Sequence, residues 1–149
     1  MPVKPLNILL IDDDKEELNF FESALQKIRI AYNLTWQSNC SDELTKFLSE
    51  QKPDIIFLDI NMPGKNGIQF LSELKADARF QKIPVIMYSV SANSKDLEKC
   101  YALGAHYYLI KPYTEINFAE SLRKIFSIDW TIPQPKPSFE NFTINLSFA

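Results

Sequence analysis

The sequence is poor in the residues that several common functional sites require. It has three glycines, two cysteines and one histidine among 149 residues. The two cysteines, Cys40 and Cys100, form no CxxC or Cys/His set and suit a reducing compartment, where they serve as small apolar residues. A dinucleotide-binding domain needs a glycine-rich first turn, whereas the glycines here are Gly64, Gly67 and Gly104. That function is therefore not favoured.

The sequence also lacks a large net charge and a long apolar run. The net charge of -3 gives no general electrostatic footprint for DNA or an anionic membrane. No apolar run approaches the roughly 18 residues that span a bilayer, and the first residues show no hydrophobic signal segment. We therefore expect a cytoplasmic protein with no DNA partner and no membrane partner. Its length fits one domain with a real core.

Five short apolar runs alternate with helical patterns along the chain. Three runs, at 8–11, 55–58 and 85–87, are continuous, which is typical of parallel strands covered on both faces. Five βα units in series predict an α/β fold with a doubly wound sheet. The predicted strands are 6–11, 34–38, 54–58, 84–88 and 106–110. The predicted helix caps are Asp14 and Thr114 at N-termini and Gly104 at a C-terminus.

Polar residues follow four of the five predicted strands. Asp12 and Asp13 follow the first strand, Asp59 the third, Ser89 the fourth and Lys111 the fifth. Open α/β sheets bind ligands at the carboxyl ends of their strands, so we expect one site at this edge. Each residue alone also fits a structural role, such as a helix cap, a turn or a solvated loop. Their shared position at one end of the strands favours the site.

Carboxylates in such a pocket do not all ionise easily, and a bound divalent cation relieves their repulsion. Oxygen ligands without a thiolate or an imidazole favour Mg²⁺ (or Mn²⁺) over zinc. Because Mg²⁺ takes phosphate oxygens as further ligands, the pocket suits a phosphoryl group. With the Asp59 carboxylate, the Lys111 ammonium and the Ser89 hydroxyl, it has the parts for phosphoryl transfer to an aspartate.

These segments resemble the receiver domain of bacterial two-component response regulators. The resemblance runs from about residue 6 to residue 127 and implies a stand-alone, CheY-like protein. It implies a flavodoxin-like (βα)5 fold with a five-stranded parallel sheet in the order 2-1-3-4-5. The matching segments are 8–14, 54–64 with Gly67, 83–89 and 111–112.

The resemblance also implies how the acidic residues act. Asp59 would be the phospho-acceptor, with the phosphoryl group coming from a sensor histidine kinase or a phosphotransfer protein. Asp13 and Asp59 would bind the metal directly with the backbone carbonyl of Asn61, and Asp12 would bind it through water. The chain would be a signalling protein that catalyses only its own phosphorylation and dephosphorylation.

The remaining implied roles concern the switch. Ser89 and Lys111 would turn to the phosphoryl group, and Tyr108 would be the aromatic residue that packs inward as Ser89 moves. This change would reshape the face of helix 4, strand 5 and helix 5 and so control binding of an output partner that the sequence does not identify. Tyr107 is expected on the opposite face of the strand. The bond between Lys111 and Pro112 is expected in the cis form.

Two positions beside the pocket are expected to modulate it. Val90 stands where the family usually has a smaller residue, and its side chain would narrow access to Asp59. Ser91, which also flanks the pocket, would tune the lifetime of the phosphorylated state together with Asn61.

The residues after 127 differ from the rest of the chain. We predict a receiver domain at 1–127 and a proline-containing extension at 128–149, too short for a helix-turn-helix module. The alternating segment 142–148 has the pattern of a half-buried strand. It would add to a sheet edge or cover a helix, in its own chain or in a homodimer, with a loosely packed end as the alternative.

Two rival functions remain open at this point. A degenerate receiver would act only as a scaffold or a dimerisation module. A Mg²⁺-dependent aspartyl phosphatase would need an acid two positions after the nucleophile, where this chain has Asn61.

Overall fold

Parallel strands and helices alternate along the chain, as the sequence predicts. The computed structural model describes residues 4–90 and 93–145. The strands are β1 (Leu6–Ile11), β2 (Tyr32–Gln37), β3 (Ile55–Asp59), β4 (Val85–Ser89), β5 (Tyr107–Ile110) and β6 (Thr143–Ile144). The helices are α1 (Lys15–Lys27), α2 (Asp42–Glu50), α3 (Gly67–Ala76), α4 (Ser94–Leu103) and α5 (Glu115–Phe126), followed by a 3-10 turn at Phe139–Asn141.

One parallel sheet forms the centre of the molecule, with the strand order β2-β1-β3-β4-β5-β6. The first five strands confirm the predicted α/β topology in the order 2-1-3-4-5. The reversal of order between β1 and β3 is the point where the carboxyl ends of such a sheet open a crevice. This topology decides which side chains meet at the site.

Helices cover both faces of the sheet, which explains why the central strands are mostly apolar before their last residues. Helices α1 and α5 pack on one face, and α2, α3 and α4 pack on the other. All five residues of β3 and all five of β4 are buried. Each fully buried large apolar side chain contributes about 1.5–3 kcal/mol relative to an exposed one, so the two cores hold the strand ends in fixed positions.

The predicted helix caps are confirmed. The Asp14 side chain accepts a hydrogen bond from the Glu16 amide at the start of α1. Thr114 accepts one from the Asn117 amide at the start of α5. At the end of α4, Gly104 has φ 104°, a left-handed conformation that glycine adopts without strain.

Some strand limits differ from the prediction. β2 begins at Tyr32 and not at residue 34, because this edge strand has β1 as its one neighbour and its half-buried residues show no continuous apolar run. Asp59 and Ser89 are the last residues of β3 and β4 and not the residues after them. Both remain at the carboxyl edge of the sheet.

The sheet has a sixth strand that the five-stranded prediction did not count. β6 pairs in parallel with β5, with Tyr108 opposite Thr143 and Leu109 opposite Ile144. The hypothesis that the C-terminal segment adds a strand to a sheet edge in its own chain is thus confirmed for these two residues. Residues 146–148 of the predicted strand lie outside the described part of the chain.

In the part of the chain that the structure describes, we find no helix that is both long and apolar enough to cross a membrane.

Candidate functional site at the carboxyl edge of the sheet

Three carboxylates meet where β1 and β3 end. The two strands are neighbours with Ile11 opposite Leu58, so the residues that follow each lie side by side. Asp12, Asp13 and Asp59 each offer a ligand oxygen, and these atoms all lie within 4.8 Å of one another. Asp12 and Asp59 are buried and Asp13 is exposed. We call these three residues the acidic cluster.

Lys111 supplies positive charge to the acidic cluster from the end of β5. Its Nζ atom lies 3.1 Å from Asp12 Oδ2 and 3.7 Å from Asp59 Oδ1. The described residues contain no cis peptide bond, so the prediction of a cis bond before Pro112 was wrong. The trans form is intrinsically favoured by about 0.5–1 kcal/mol, and the ammonium reaches both carboxylates with the bond in that form.

Backbone amides hold the two buried carboxylates in place. Asp12 Oδ1 accepts a hydrogen bond from the Asp14 amide at 2.9 Å, and Asp59 Oδ1 accepts one from the Asn61 amide at 3.3 Å. Burial nevertheless raises the pKa of Asp59 from 3.8 to about 6, although Lys111 acts in the opposite direction. Burial also raises the pKa of Asp12. The charged forms of both side chains are therefore unfavourable without additional positive charge.

The donor set fits a hard divalent cation. Its ligand atoms are carboxylate oxygens, which Mg²⁺ and Mn²⁺ prefer, and two of the three carboxylates are buried with raised pKa values. A cation at this point would offset the negative charge that burial makes unfavourable. The direct contact of the Asn61 carbonyl with the metal stays a prediction.

Ser89 and Tyr108 lie near the acidic cluster, and both are buried. Burial raises the pKa of the Tyr108 phenol to about 12, an effect that the Ser89 side chain partly offsets, so the phenol is neutral. Tyr108 lies in the core under α2, α3 and α4, whereas Tyr107 lies on the other face with its ring 6.2 Å from that of Trp130. The predicted placement of the two tyrosines on opposite faces is confirmed.

The structure adds Tyr88, which the sequence analysis did not single out. The Lys111 ammonium lies 4.2 Å from the centre of the Tyr88 ring. The Tyr88 hydroxyl donates a hydrogen bond of 2.8 Å to Glu17 Oε2 on α1. Tyr88 stands opposite Asp59 in the register of β3 and β4. It therefore connects α1 to the lysine that faces the acidic cluster.

We expect the hydrogen bond between Tyr88 and Glu17 to contribute about 1 kcal/mol to folding stability. Tyr88→Phe and Glu17→Ala, alone and combined, form a double-mutant cycle that isolates it. Urea denaturation of the four proteins should give a coupling free energy near that value. Additive effects of the two substitutions would show that the contact has no energetic role.

Two further residues, Trp36 and Gly67, shape the site through contacts that the sequence alone does not show. The Trp36 indole N–H donates to the Asp12 carbonyl oxygen at 2.7 Å and so fixes the turn after β1. Gly67, at the start of α3, packs directly against the backbone of Asp59 and Ile60. The residue identities alone do not show these approaches, because they depend on how distant segments meet.

Of the two predicted modulating positions, Val90 is 69% exposed, and its effect on access to Asp59 stays a prediction. Ser91 lies outside the described residues.

A parallel α/β sheet with an acidic cluster at the carboxyl ends of its strands is typical of signalling receiver domains. A family model described as "Response regulator receiver domain" matches residues 8–123, and the chain belongs to this family. It is a CheY-like receiver domain of a two-component response regulator.

Proteins of similar sequence include a chemotaxis protein and a response regulator. Chemotaxis protein CheY-3 of Vibrio cholerae is 28% identical over 123 residues, which cover 83% of this chain and 93% of that protein. Response regulator Rre1 of Synechocystis is 32% identical over 129 residues, which cover 83% of this chain and 53% of that protein.

Solved receiver structures share the fold. The phosphorylated cyanobacterial phytochrome response regulator RcpA matches with a TM-score of 0.76 and 25% identity, covering 91% of this chain and 100% of that chain. The Mn²⁺-bound form of response regulator Rcp1 matches with a TM-score of 0.72 and 27% identity, covering 90% of this chain and 100% of that chain.

Proposed function

We propose that the chain is a phospho-acceptor response regulator in which Asp59 takes a phosphoryl group from a partner's phosphohistidine. The observation that carries the proposal is the acidic cluster, with ligand oxygens within 4.8 Å of one another, beside the Lys111 ammonium. This arrangement combines a nucleophile with positive charge at the place where phosphoryl oxygens would lie.

The transfer is a displacement at phosphorus. A carboxylate oxygen of Asp59 attacks the phosphorus atom, the P–N bond to the histidine ring breaks, and its electron pair leaves with the imidazole. The product is an acyl phosphate on Asp59. Lys111 stabilises the charge on the phosphoryl oxygens, and a bound Mg²⁺ (or Mn²⁺) would supply further positive charge there.

The response would be a population shift. The phosphoryl group adds negative charge and acceptor oxygens near Ser89 and Lys111. A shift from 1:99 to 99:1 requires about 5.5 kcal/mol of differential stabilisation. A few charge-assisted hydrogen bonds at about 1.5–3 kcal/mol each are sufficient. The face of α4, β5 and α5 would then change its affinity for an output partner.

The partner that supplies the phosphoryl group would be a sensor histidine kinase or a phosphotransfer protein. Membership of the receiver family supports this assignment, because receiver domains act with such proteins in two-component systems. The Mn²⁺-bound form of the similar Rcp1 supports a divalent cation at the acidic cluster.

The test is phosphorylation by acetyl phosphate in the presence of Mg²⁺. Intact-mass measurement should show one phosphoryl group per chain, stable in acid and lost in mild base. Asp59→Asn should lose the adduct completely, because its amide is not a nucleophile. Asp42→Asn, an exposed aspartate in the first turn of α2, is the matched control and should keep it.

Other outcomes would indicate the rival functions. A chain that forms no adduct and does not respond to beryllofluoride would be a scaffold. Multiple turnover of phosphate esters would indicate a phosphatase. An adduct that persists in Asp59→Asn would place the acceptor elsewhere.

A further inference from the structure

An open groove crosses the edge of the sheet opposite the acidic cluster. It has a volume of about 950 Å³, and the residues that precede β3, β4 and β5, which are Asp54, Pro84 and His106, all line it. Because β3 has five residues that each advance the chain by about 3.3 Å, the groove and the acidic cluster lie roughly 15 Å apart. We call this site the amino-edge groove.

The segment after α5 builds one wall of the amino-edge groove. Trp130 is 4% exposed, and its ring centre lies 5.7 Å from that of His106 at the start of β5. The Gln134 carbonyl oxygen lies 3.1 Å from His106 Nε2. Between these two contacts, Ile132 lines the groove with its side chain 54% exposed. The wall is therefore fixed to the sheet and presents an apolar side chain.

Positive charge predominates in the groove although the chain as a whole is acidic. The whole chain has 16 lysines and arginines against 19 aspartates and glutamates. Among the described residues, the groove is lined by four cationic side chains and one carboxylate. That carboxylate, Asp54, already accepts a hydrogen bond of 2.8 Å from the Asn7 amide. The four cations are Lys52, Lys75, Arg79 and Lys82. This imbalance favours an anionic ligand.

Two of the four cations also have a structural role. The Lys75 ammonium, in the last turn of α3, donates to the carbonyl oxygens of Gln81 at 3.1 Å and Ile83 at 2.9 Å. Arg79 forms an ion pair of 2.8 Å with Asp77. These two residues hold the loop between α3 and β4 in place.

Lys52 and Lys82 are the cations that remain for a ligand. Both side chains are exposed, and neither residue is part of a helix. Within the described ranges, no carboxylate forms an ion pair with either ammonium. Since no internal contact accounts for these two charges, their position beside an open groove favours recognition of an external anion.

The pKa of His106 reflects the charge around the groove. Burial lowers this pKa, and the positive charges of Lys75 and Lys136 lower it further, while the hydrogen bond to Gln134 acts in the opposite direction. Burial also lowers the pKa of Lys75 to about 8. The groove therefore disfavours additional positive charge and favours a carboxylate.

A peptide fits this groove better than a phosphate-rich ligand. The carboxyl ends of α3 and α4 border it, and such ends carry partial negative charge and carbonyl oxygens without an intrahelical donor. Dense phosphate charge is repelled there. A peptide, in contrast, has amides that can donate to carbonyl oxygens and carboxylates that can pair with lysines. Leu103, Trp130 and Ile132 offer apolar surface to one of its side chains.

The dimensions of the groove set the length of the segment. The ends of three strands at a spacing of about 4.8 Å cover roughly 10 Å, and an extended chain advances about 3.3 Å per residue. The groove therefore holds about three to five extended residues.

We propose that the amino-edge groove binds a short, extended acidic segment of a partner protein. Carboxylates of this segment pair with Lys52 and Lys82, and an apolar side chain between them packs against Ile132. This surface is separate from the acidic cluster, and binding there does not depend on phosphorylation of Asp59.

Titration of the full chain with acidic peptides tests the proposal. The probe is a capped pentapeptide with two acidic residues on each side of a leucine, and its counterpart has the corresponding amides. NMR follows the Trp130 indole N–H and the backbone amides of residues 78–83 and 103–106. The acidic peptide should shift these signals and bind at least about ten times more tightly than its counterpart, the factor for about 1.4 kcal/mol of charge pairing. Equal affinities, or no shift at millimolar peptide, would overturn the proposal.

A charge-matched pair of variants locates the contact. Lys52→Gln combined with Lys82→Gln should weaken binding of the acidic peptide at least about tenfold. Lys46→Gln combined with Lys95→Gln removes the same charge from exposed lysines outside the groove and should bind as the unmodified chain does. Equal losses in the two proteins would show that net charge and not the groove attracts the peptide.

The apolar contact and the class of ligand have their own tests. Ile132→Ala should weaken binding at least about fourfold, the factor for one methylene group that is no longer buried. Ile116→Ala, at a residue of α5 that is 70% exposed and outside the groove, is the control. Unchanged affinity in Ile132→Ala would contradict the proposed placement. A single-stranded oligonucleotide that shifts the same signals at lower concentration than the acidic peptide would make the groove a phosphate site and refute the peptide.

Discussion

Gly67→Ala is expected to destabilise the protein by about 3 kcal/mol or more and to abolish phosphorylation of Asp59. A Cβ atom at residue 67 would lie 2.1 Å from the Asp59 carbonyl oxygen and 2.9 Å from the Ile60 Cα atom. Both are backbone atoms, so relief requires movement of the end of β3 and not the rotation of a side chain. The Gly67 amide also donates to the Ile60 carbonyl oxygen at 2.9 Å, which holds α3 close to the strand.

Gly64→Ala is the matched control for this substitution. Gly64 lies in the loop just before α3, and a Cβ atom there would meet no heavy atom within 4 Å. Its φ of 78° is left-handed, so alanine should cost about 1–2 kcal/mol through backbone strain alone. Urea denaturation gives the two stabilities, and intact mass after treatment with acetyl phosphate gives the occupancy of Asp59. Similar losses in the two variants would show that the close approach at Gly67 is not the cause.

The sequence was most informative about features that depend on the residue pattern within a short segment. The continuous apolar runs at 8–11 and 55–58 predict buried parallel strands, because strands covered by helices on both faces have no polar side to display. Polar residues directly after such runs must reach one edge of the sheet. The acidic cluster and Lys111 could therefore be placed together before the structure was known.

Contacts between distant segments were not predictable in the same way. In the sequence, Tyr88 cannot be distinguished from the apolar residues of β4. Its hydrogen-bond partner, Glu17, lies 71 positions away along the chain. The alternation after residue 141 predicts a strand, but pairing with β5 depends on Tyr101 and Tyr108, whose rings receive Phe142. Gly67 likewise acquires its importance only from the backbone of Asp59. These features depend on the assembled surfaces.

Lys111→Met is expected to destabilise the metal-free protein by about 3 kcal/mol at pH 7.5, because it removes the ammonium from two buried carboxylates. Lys111 has a side-chain exposure of 10%, and its Nζ lies 3.1 Å and 3.7 Å from oxygens of Asp12 and Asp59. The matched control is Lys65→Met, which breaks an exposed pair with Glu73 and should cost less than about 1 kcal/mol.

The loss in Lys111→Met should depend on pH in a defined direction. The pKa of Asp59 is already raised to about 6 by burial, and removal of Lys111 raises it further. A carboxyl group with a raised pKa in the folded state destabilises the protein above that pKa, and the penalty disappears as pH falls and the folded state takes up the proton. The difference between Lys111→Met and the unmodified chain should therefore be largest above pH 7 and shrink towards pH 5.

A divalent metal ion should reduce the loss of stability in Lys111→Met. Mg²⁺ bound at the acidic cluster would replace the missing positive charge, so it should stabilise Lys111→Met more than the unmodified chain. Urea denaturation at pH 5 and pH 7.5, with and without Mg²⁺, measures all of these differences. If Lys111→Met loses no more stability than Lys65→Met at pH 7.5 without metal, the ammonium does not offset the buried charge. The carboxylates would then be neutral in the metal-free protein, and Mg²⁺ would have to displace their protons on binding.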